Sequence, residues 1–228
     1  YQTFVQNYAP QRGYGRGARH VLETGVDRYK RIAETLFPGG SYGNGAAMRV
    51  APIGLYFYVH EAKIARQAHA QSLPTHVHPL GIEGAQLLAQ AVGWVVRNPV
   101  FDREKFFEFL VSKATQDVYT RLLSIAANLD TPDELDILGN GIAAQESVVT
   151  AIASFSLTPK HYSSTIANLI WLGGDVATMA AMAGALSGTH LGLQGLPTSW
   201  LARLEKTPKG KTYLEELGKK LALAHLTH

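Results

Sequence analysis

The sequence predicts an all-α fold, and three observations support this prediction. Apolar residues recur every three or four positions along most of the chain, which is the period of an amphipathic helix. No stretch of the 228 residues shows the alternation of apolar and polar residues that is typical of a strand. Apolar residues make up 46% of the chain and charged residues 17%, as in globular proteins, and the length fits one domain over residues 1–228.

The charge and composition argue against several kinds of function. A net charge of +3 without a clustered basic stripe argues against binding to nucleic acid, although it suits a small anionic ligand. The absence of cysteine excludes disulfides and thiolate chemistry and favours an intracellular, cytoplasmic location. The uncharged run over residues 176–202 is long enough for a membrane span, but Gly188, His190 and Pro197 interrupt it, so we expect no span.

The N-terminal part of the chain predicts two helices and a connector between them. Apolar side chains at positions 1, 4, 5 and 8 follow helical spacing, which predicts the last turns of a helix and a chain truncated at its N-terminus. Residues 11–17 are rich in glycine and predict a connector. A second helix is predicted from Ala18 to Leu36, before a Phe-Pro-Gly-Gly stop at residues 37–40.

A glycine-rich loop at residues 41–45, Ser-Tyr-Gly-Asn-Gly, opens onto a helix predicted from Ala46 to Tyr58. Free backbone N–H groups at such a helix start attract phosphate. The loop lacks the Gly-Lys-Ser/Thr of a Walker motif and the preceding strand of a dinucleotide-binding fingerprint. Two interpretations therefore stay open: a phosphate cradle, and a helix start whose glycines only allow close packing.

Two histidines lie in the next turn. Helices are predicted over residues 60–73 and 81–96, and His76 and His78 stand between them. Two histidines at this spacing could bind a metal, but the sequence offers no third ligand nearby. We therefore favour the interpretation that one histidine is directed into a pocket.

The central segment predicts further helices over residues 103–112, 115–128, 143–155 and 163–172. Thr131 and Pro132 are the residue types expected at an N-cap and a first helical position, so another helix is predicted to start there. The acidic residues at 133, 134 and 136 lie at this helix start, where acidic residues are ordinary. Residues 138–142, Leu-Gly-Asn-Gly-Ile, predict a tight turn.

Asp175 stands before a helix predicted over residues 176–189, which is otherwise made of small and apolar residues. A carboxylate in such surroundings is costly without a partner. Together with Thr178 it could form half of a metal site, or it could be a plain N-cap. Small residues at 180, 184 and 188 predict a smooth helix face, and leucines at 214, 217, 221 and 226 predict an amphipathic C-terminal helix.

Three stretches carry distinctive motifs: Gly-Ser-Tyr-Gly-Asn-Gly at 40–45 with Met-Arg-Val-Ala at 48–51, Leu-Gly-Asn-Gly-Ile-Ala-Ala at 138–144 with Glu-Ser-Val at 146–148, and Gly-Gly-Asp at 173–175 with Thr178 and Met-Ala-Gly-Ala at 182–185. Together they resemble the ADP-ribosylglycohydrolase family, in an order and spacing that agree over nearly the whole chain. Arg-Gly-Tyr-Gly at 12–15 and Thr-His at 75–76 also fit the family. The branch they resemble most removes ADP-ribose from serine and degrades poly(ADP-ribose) and O-acetyl-ADP-ribose.

The resemblance implies a compact orthogonal multi-helix fold, here without its N-terminal helices, with two magnesium ions at the bottom of a cleft. The glycine-rich loop would hold the diphosphate of ADP-ribose, an apolar slot would hold the adenine, and a histidine would contact the phosphate or the distal side. The residues implied are Gly40, Ser41, Gly43 and Asn44 for the diphosphate, Phe37, Tyr42 and Ile142 for the adenine, His76 for the phosphate or distal side, and Asp175 and Thr178 for the metal.

The sequence departs from the family pattern at the metal ligands. The family motif reads Gly-Gly-Asp-Thr-Asp-Thr, whereas Ala177 stands here in place of the carboxylate that bridges both ions in the family. The family's N-terminal glutamate and Thr-Asp-Asp cluster do not occur before Gly13. Losing an outer-shell partner typically weakens metal binding about 10–100-fold, and losing a bridging ligand should cost more.

Three functions stay open after this comparison with the family pattern. The first is magnesium-dependent hydrolysis of the C1″–O bond of ADP-ribosyl conjugates, impaired in this chain. The second is an inactive ADP-ribose-binding module that keeps the adenosine and diphosphate side. The third is a structural protein similar to the eye-lens crystallins of the family. We expect ADP-ribose or an ADP-ribosylated protein as the partner, and a monomer.

Overall fold

The computed structural model describes residues 1–24 and 29–226, and these residues form helices joined by short loops. No β-strand occurs among them, and one isolated antiparallel bridge joins Gly43 to Ala143. The prediction of an all-α fold is therefore confirmed. The α-helices are α1 Gln2–Gln6, α2 Arg16–Thr24, α3 Tyr29–Thr35, α4 Ala51–Tyr56, α5 Glu61–Ser72, α6 Pro79–Arg97, α7 Arg103–Lys113, α8 Asp117–Ala127, α9 Ala144–Leu157, α10 Tyr162–Leu172, α11 Val176–Leu191, α12 Thr198–Leu201 and α13 Lys211–Leu226, with 3₁₀ helices at Ala47–Arg49, Pro132–Leu138 and Leu193–Gly195.

The helix predicted over 18–36 agrees with α2 and α3 where residues are described, and its residues 25–28 lie outside the described residues. Another predicted helix differs from the structure. The helix predicted over 46–58 is divided at Val50 into a 3₁₀ turn and α4. Pro52 explains the division, because a proline has no backbone N–H to bond to the preceding turn.

The core of the protein is built around α6 and α9, most of whose residues are buried. Helix α6 packs against α4, α5, α9 and α11, and α9 packs against α8, α10 and α11. The predicted smooth face of α11 meets α10, since a Cβ on Gly184 would lie 2.8 Å from the Tyr162 hydroxyl. This packing brings the first turn of α11 and the first turn of α9 to the same end of the core, beside the glycine-rich loop.

The N-terminal helices and the C-terminal segment meet on the surface. Arg12 forms an ion pair with Glu205 at 2.5 Å, and the Lys209 ammonium donates to the Asn7 side chain at 2.8 Å. The ion pair lowers the pKa of Glu205 to about 2, chiefly through its hydrogen bond with Arg12. Within residues 1–24 and 29–226, no helix combines the length and apolar character needed to cross a membrane.

Candidate functional site

A cleft of about 740 Å³ lies between the N-terminal helices and the core. One wall comes from α1, α2, α3 and the loops that follow α1 and α3. The other comes from the glycine-rich loop, the turn before α6, the turn before α9 and the first turn of α11. The cleft therefore gathers stretches that are far apart in the sequence. Its lining includes Phe37, Ser41, Gly43, Asn44, Gly45, Arg49, Thr75, His76, Ile142, Asp175 and Thr178.

The glycine-rich loop is fixed by backbone contacts to the turn before α9. The N–H of Asn44 donates to the Ile142 carbonyl at 3.0 Å, and the N–H of Ala144 donates to the Tyr42 carbonyl at 2.9 Å. Gly40 has a φ of +87°, and a Cβ there would lie 2.4 Å from a methyl group of Val77. The loop can therefore approach the next turn only with glycine at this position.

Three backbone N–H groups in this loop make no hydrogen bond within residues 1–24 and 29–226. They belong to Ser41, Tyr42 and Gly45, whereas the N–H of Gly43 donates to the Ser41 hydroxyl at 3.3 Å. Free N–H groups on consecutive residues, as at Ser41 and Tyr42, form an arrangement that favours an anion, and the N–H of Gly45 lies in the same loop. The loop therefore has the donors that the phosphate interpretation requires.

The three residues predicted to hold an adenine occupy different surroundings. Phe37 and Ile142 line the cleft with 41% and 71% of their surface exposed. The Tyr42 ring packs edge-on against His78, with the ring centres 5.7 Å apart, and Tyr42 is not among the residues that line the cleft. Phe37 and Ile142 thus offer an apolar surface to a ligand, and a contact from Tyr42 stays a prediction.

Asp175 is held by two side chains. The Asn44 amide, which is 6% exposed, donates to Asp175 Oδ2 at 2.8 Å and to the Ser147 hydroxyl at 3.0 Å. The Thr178 hydroxyl donates to Asp175 Oδ1 at 2.9 Å. Both carboxylate oxygens therefore have a partner within the protein, and the loop is tied to α11 through Asn44.

The helix-cap interpretation of Asp175 is correct for its position and wrong for its side chain. Asp175 precedes the first residue of α11, but its carboxylate accepts no backbone N–H of that helix. Its own N–H donates to the Asn140 carbonyl at 2.8 Å, which fixes it against the turn before α9. The carboxylate consequently points toward Asn44 and the cleft.

Few side chains at the Asp175 end of the cleft could bind a metal ion. Across the described ranges 1–24 and 29–226, no group of three histidine, cysteine or acidic residues is placed to hold a metal ion. Ala177 is exposed beside Asp175 and adds only a methyl group. Asp175 and Thr178 supply one carboxylate and one hydroxyl, whereas a magnesium ion takes about six oxygen ligands.

The two histidines of the turn before α6 have separate roles, as the sequence interpretation favoured. His78 is the N-cap of α6, where its Nδ1 accepts the N–H of Leu80 at 3.2 Å. His76 lines the cleft and is 7% exposed. A Cβ on Gly45 would lie 3.0 Å from its ring, so the glycine allows the histidine to lie against the loop.

Arg49 is a functional candidate to which the sequence interpretation assigned no role. Its guanidinium lines the cleft, donates to the Gly45 carbonyl at 3.1 Å and lies over the Phe4 ring, 5.0 Å from its centre. Burial lowers its pKa to about 10, and no carboxylate pairs with it within residues 1–24 and 29–226. A lone arginine in the small and apolar stretch 46–54 was the signal that could have identified it.

The predicted connector at residues 11–17 has a further role. Residues 12–18 line the cleft, and the side chain of Tyr14 packs on Tyr8 with the ring centres 4.8 Å apart. The loop therefore joins α1 to α2, as predicted, and also forms part of the cleft wall.

We expect the folded state to lose stability as the pH falls from 6.5 to about 4, partly because of His76. Burial, with a smaller contribution from Arg49, lowers the pKa of His76 from 6.5 to about 4. The unfolded chain therefore binds more protons in this range, and protonation costs the fold up to about 3 kcal/mol. Urea unfolding at several pH values checks this. The free energy of unfolding of His76→Gln should fall less steeply with acid, and parallel curves would contradict the prediction.

Comparison with known proteins identifies the family. The chain matches the family model described as ADP-ribosylglycohydrolase over residues 1–228. It is 36% identical to ADP-ribosylhydrolase ARH3 of Xenopus tropicalis over 96% of this chain and 72% of the relative, and 35% identical to that of Homo sapiens over 86% and 65%. A solved structure of an ADP-ribosylglycohydrolase-related protein complex superposes with a TM-score of 0.65 at 25% identity, over 92% of this chain and 68% of the other. The chain therefore belongs to the ADP-ribosylglycohydrolase family, a family of hydrolases.

Proposed function

We propose that this chain is an ADP-ribosyl hydrolase by descent, which binds the ADP-ribosyl group in the cleft and in which cleavage is impaired. The bond concerned is the C1″–O glycosidic bond of ADP-ribosyl-serine, poly(ADP-ribose) or O-acetyl-ADP-ribose. One observation carries the proposal: a single cleft joins the 41–45 loop, His76, Ile142 and the Asp175–Thr178 pair. An ADP-ribosyl group needs polar contacts for its diphosphate and sugars and an apolar surface for its adenine, within one continuous space.

The glycine-rich loop would hold the diphosphate of the ligand, and the apolar surface of Phe37 and Ile142 would hold its adenine. The diphosphate would accept hydrogen bonds from the free N–H groups of Ser41, Tyr42 and Gly45, beside the charge of Arg49. The adenine would lie on Phe37 and Ile142, whose exposed apolar surface is otherwise costly in water. The cleft volume of about 740 Å³ suits a ligand of this size.

The distal ribose would lie at the Asp175 end, where hydrolysis would add the hydroxyl of water to C1″ and return a proton to the leaving oxygen. The family resemblance implies two magnesium ions here. The described residues do not by themselves fit such a centre, since Asp175 and Thr178 supply one carboxylate and one hydroxyl as metal ligands and Ala177 supplies no ligand. The proposed impairment therefore lies in the metal site, and ADP-ribose binding does not depend on it.

A second candidate function is that of an inactive ADP-ribose-binding module. It is favoured by the contacts of Asp175, whose two oxygens accept from Asn44 and Thr178 at 2.8 and 2.9 Å. A carboxylate that is satisfied inside the protein can hold the loop and α11 together without a metal. The two candidates share the binding step and differ only in turnover.

Calorimetry with ADP-ribose, with and without magnesium, tests the proposal on the wild type and on Ala177→Asp. We expect the wild type to bind ADP-ribose equally well in both conditions, because its metal site is incomplete. In Ala177→Asp a carboxylate joins Asp175 and Thr178, and we expect magnesium to raise the melting temperature of the protein, since a ligand that binds only the folded state stabilises it. Ala181→Asp, one turn further along the exposed side of α11, is the matched control.

Each outcome has a distinct meaning. Slow magnesium-dependent release of ADP-ribose by the wild type would favour the impaired hydrolase, and its absence together with tight binding would favour the binding module. If neither ADP-ribose nor magnesium changes the melting temperature of the wild type, the binding proposal fails. That result would favour a structural role similar to that of the eye-lens crystallins of the family. If Phe37→Ala binds ADP-ribose as the wild type does, the assignment of the adenine surface is wrong.

A further inference from the structure

A series of hydrogen bonds runs from Arg49 through Thr75 to His76 along the wall of the cleft. Arg49 Nη2 lies 2.8 Å from the Thr75 hydroxyl, and that hydroxyl lies 2.7 Å from His76 Nδ1. Thr75 and His76 are 8% and 7% exposed, so water has little access to these atoms. The proton positions along these hydrogen bonds are therefore set by the side chains of Arg49, Thr75 and His76.

The direction of donation along these hydrogen bonds is set by Arg49. A guanidinium is only a donor, so the Thr75 oxygen must accept from Arg49. The Thr75 hydroxyl proton then has one acceptor within residues 1–24 and 29–226, which is His76 Nδ1. If Nδ1 carried a proton instead, the buried Thr75 hydroxyl would be left without an acceptor, at a cost comparable to a lost hydrogen bond.

Arg49 is itself held in place by several acceptors. Its Nε donates to the Gln71 side-chain oxygen at 2.9 Å, and its Nη2 also donates to the Gln71 carbonyl at 2.9 Å. The Gln71 amide in turn donates to the Ala46 carbonyl at 3.1 Å. The guanidinium cannot turn away from Thr75 without breaking these bonds, so the direction of donation is fixed.

We infer that Arg49 and Thr75 are positioning residues that hold His76 as the tautomer with its proton on Nε2, ready to donate to a ligand in the cleft. The Nε2 atom has no hydrogen-bond partner among the described residues and lies on the side of Gly43 and Gly45, since ideal Cβ atoms there would be 3.7 and 3.2 Å from it. The ligand atom would be an anionic or hydroxyl oxygen of the ADP-ribosyl group. This assignment of the ligand rests on the proposed function.

Two measurements on the intact chain test the inference. Long-range proton–nitrogen correlation NMR, with the His76 signals assigned by their loss in His76→Gln, should show the proton on Nε2 and none on Nδ1. Thr75→Val removes the hydroxyl at constant volume, and we expect it to allow the Nδ1 proton and to weaken ADP-ribose binding about tenfold. Thr75→Ser keeps the hydroxyl and should restore both the tautomer and the affinity. Thr189→Val, on α11 away from the cleft, is the control for a threonine-to-valine change.

The outcomes separate this inference from the proposed function. A wild type with its proton on Nδ1 overturns the inference, even if ADP-ribose binds. Equal losses of affinity in Thr75→Val and Thr75→Ser, with the tautomer unchanged in both, also overturn it, because the hydroxyl would then not act through His76. A wild type that has the Nε2 proton but does not bind ADP-ribose refutes the proposed function. It still supports the inference that Arg49 and Thr75 hold His76 in this tautomer.

Discussion

Replacing Gly174 with alanine should lower the free energy of unfolding by about 4 kcal/mol. Gly174 has a φ of +73°, and an ideal Cβ would lie 2.1 Å from the Asn140 carbonyl oxygen. That oxygen cannot easily move away, because it accepts the N–H of Asp175 at 2.8 Å. The new methyl group would therefore force the turn before α11 away from the turn before α9 and move Asp175 out of the cleft. Urea unfolding measures the loss, and calorimetry with ADP-ribose measures its effect on binding.

Gly173 supplies a matched control for this prediction. It also has a positive φ, +77°, but a Cβ there would meet no atom within 4 Å. Gly173→Ala should therefore show only the cost of the backbone conformation, about 2 kcal/mol. The difference between the two variants isolates the contact with Asn140. Equal losses in both would show that the close approach of the two turns does not matter to stability.

Replacing Asn44 with alanine should cost about 3 kcal/mol of stability, because a buried amide then no longer donates to Asp175 and to Ser147. Asn168→Ala is a suitable control, since among the described residues the Asn168 amide makes only a long hydrogen bond, 3.4 Å to the Thr158 hydroxyl. We expect Asn168→Ala to cost about 1 kcal/mol or less.

The contact between Asn44 and Asp175 is measured by a double-mutant cycle. The variants Asn44→Ala, Asp175→Ala and the double replacement should show a coupling of about 1.5–3 kcal/mol, as for hydrogen bonds to charged groups. We also expect ADP-ribose binding to weaken in Asn44→Ala, because the glycine-rich loop loses its side-chain bond to α11. Additive losses across the cycle would mean that the contact does not join the loop to the helix.

The helices could be predicted from the sequence because their formation depends on residues three and four positions apart. The periodicity predicted α5 to α11 closely, and the 3₁₀ helix after Thr131 begins at the predicted cap, where the Glu134 carboxylate accepts the N–H of Thr131 at 2.9 Å. The exception lies at residues 46–58, where Pro52 divides the predicted helix. The proline was visible in the sequence, and its missing N–H could have predicted the break.

Several residues of the candidate site could also be chosen from the sequence. The glycine-rich loop and Asp175 stand out by residue type, because glycines before a helix and an isolated carboxylate suggest a binding role. His76 was chosen over His78 only because the chain resembles the family. The roles of Arg49 and of residues 12–18 could not be predicted in this way. The isolated arginine could be noticed in the small and apolar stretch 46–54, but its contacts with Gln71 and Thr75 depend on how distant segments pack, as does the direction of the connector.

The sequence by itself determined the all-α class, the positions of most helices and the motifs that identify the family. Each of these depends on side chains close together in the chain, so local order carries the information. The tertiary structure alone decided that Asn44 would pair with Asp175, 131 positions away. It also decided that Arg49 would donate to Thr75, whose hydroxyl contacts His76 Nδ1. The reason is physical: a hydrogen bond requires two atoms within about 3 Å, and only the packing of distant helices brings these atoms together.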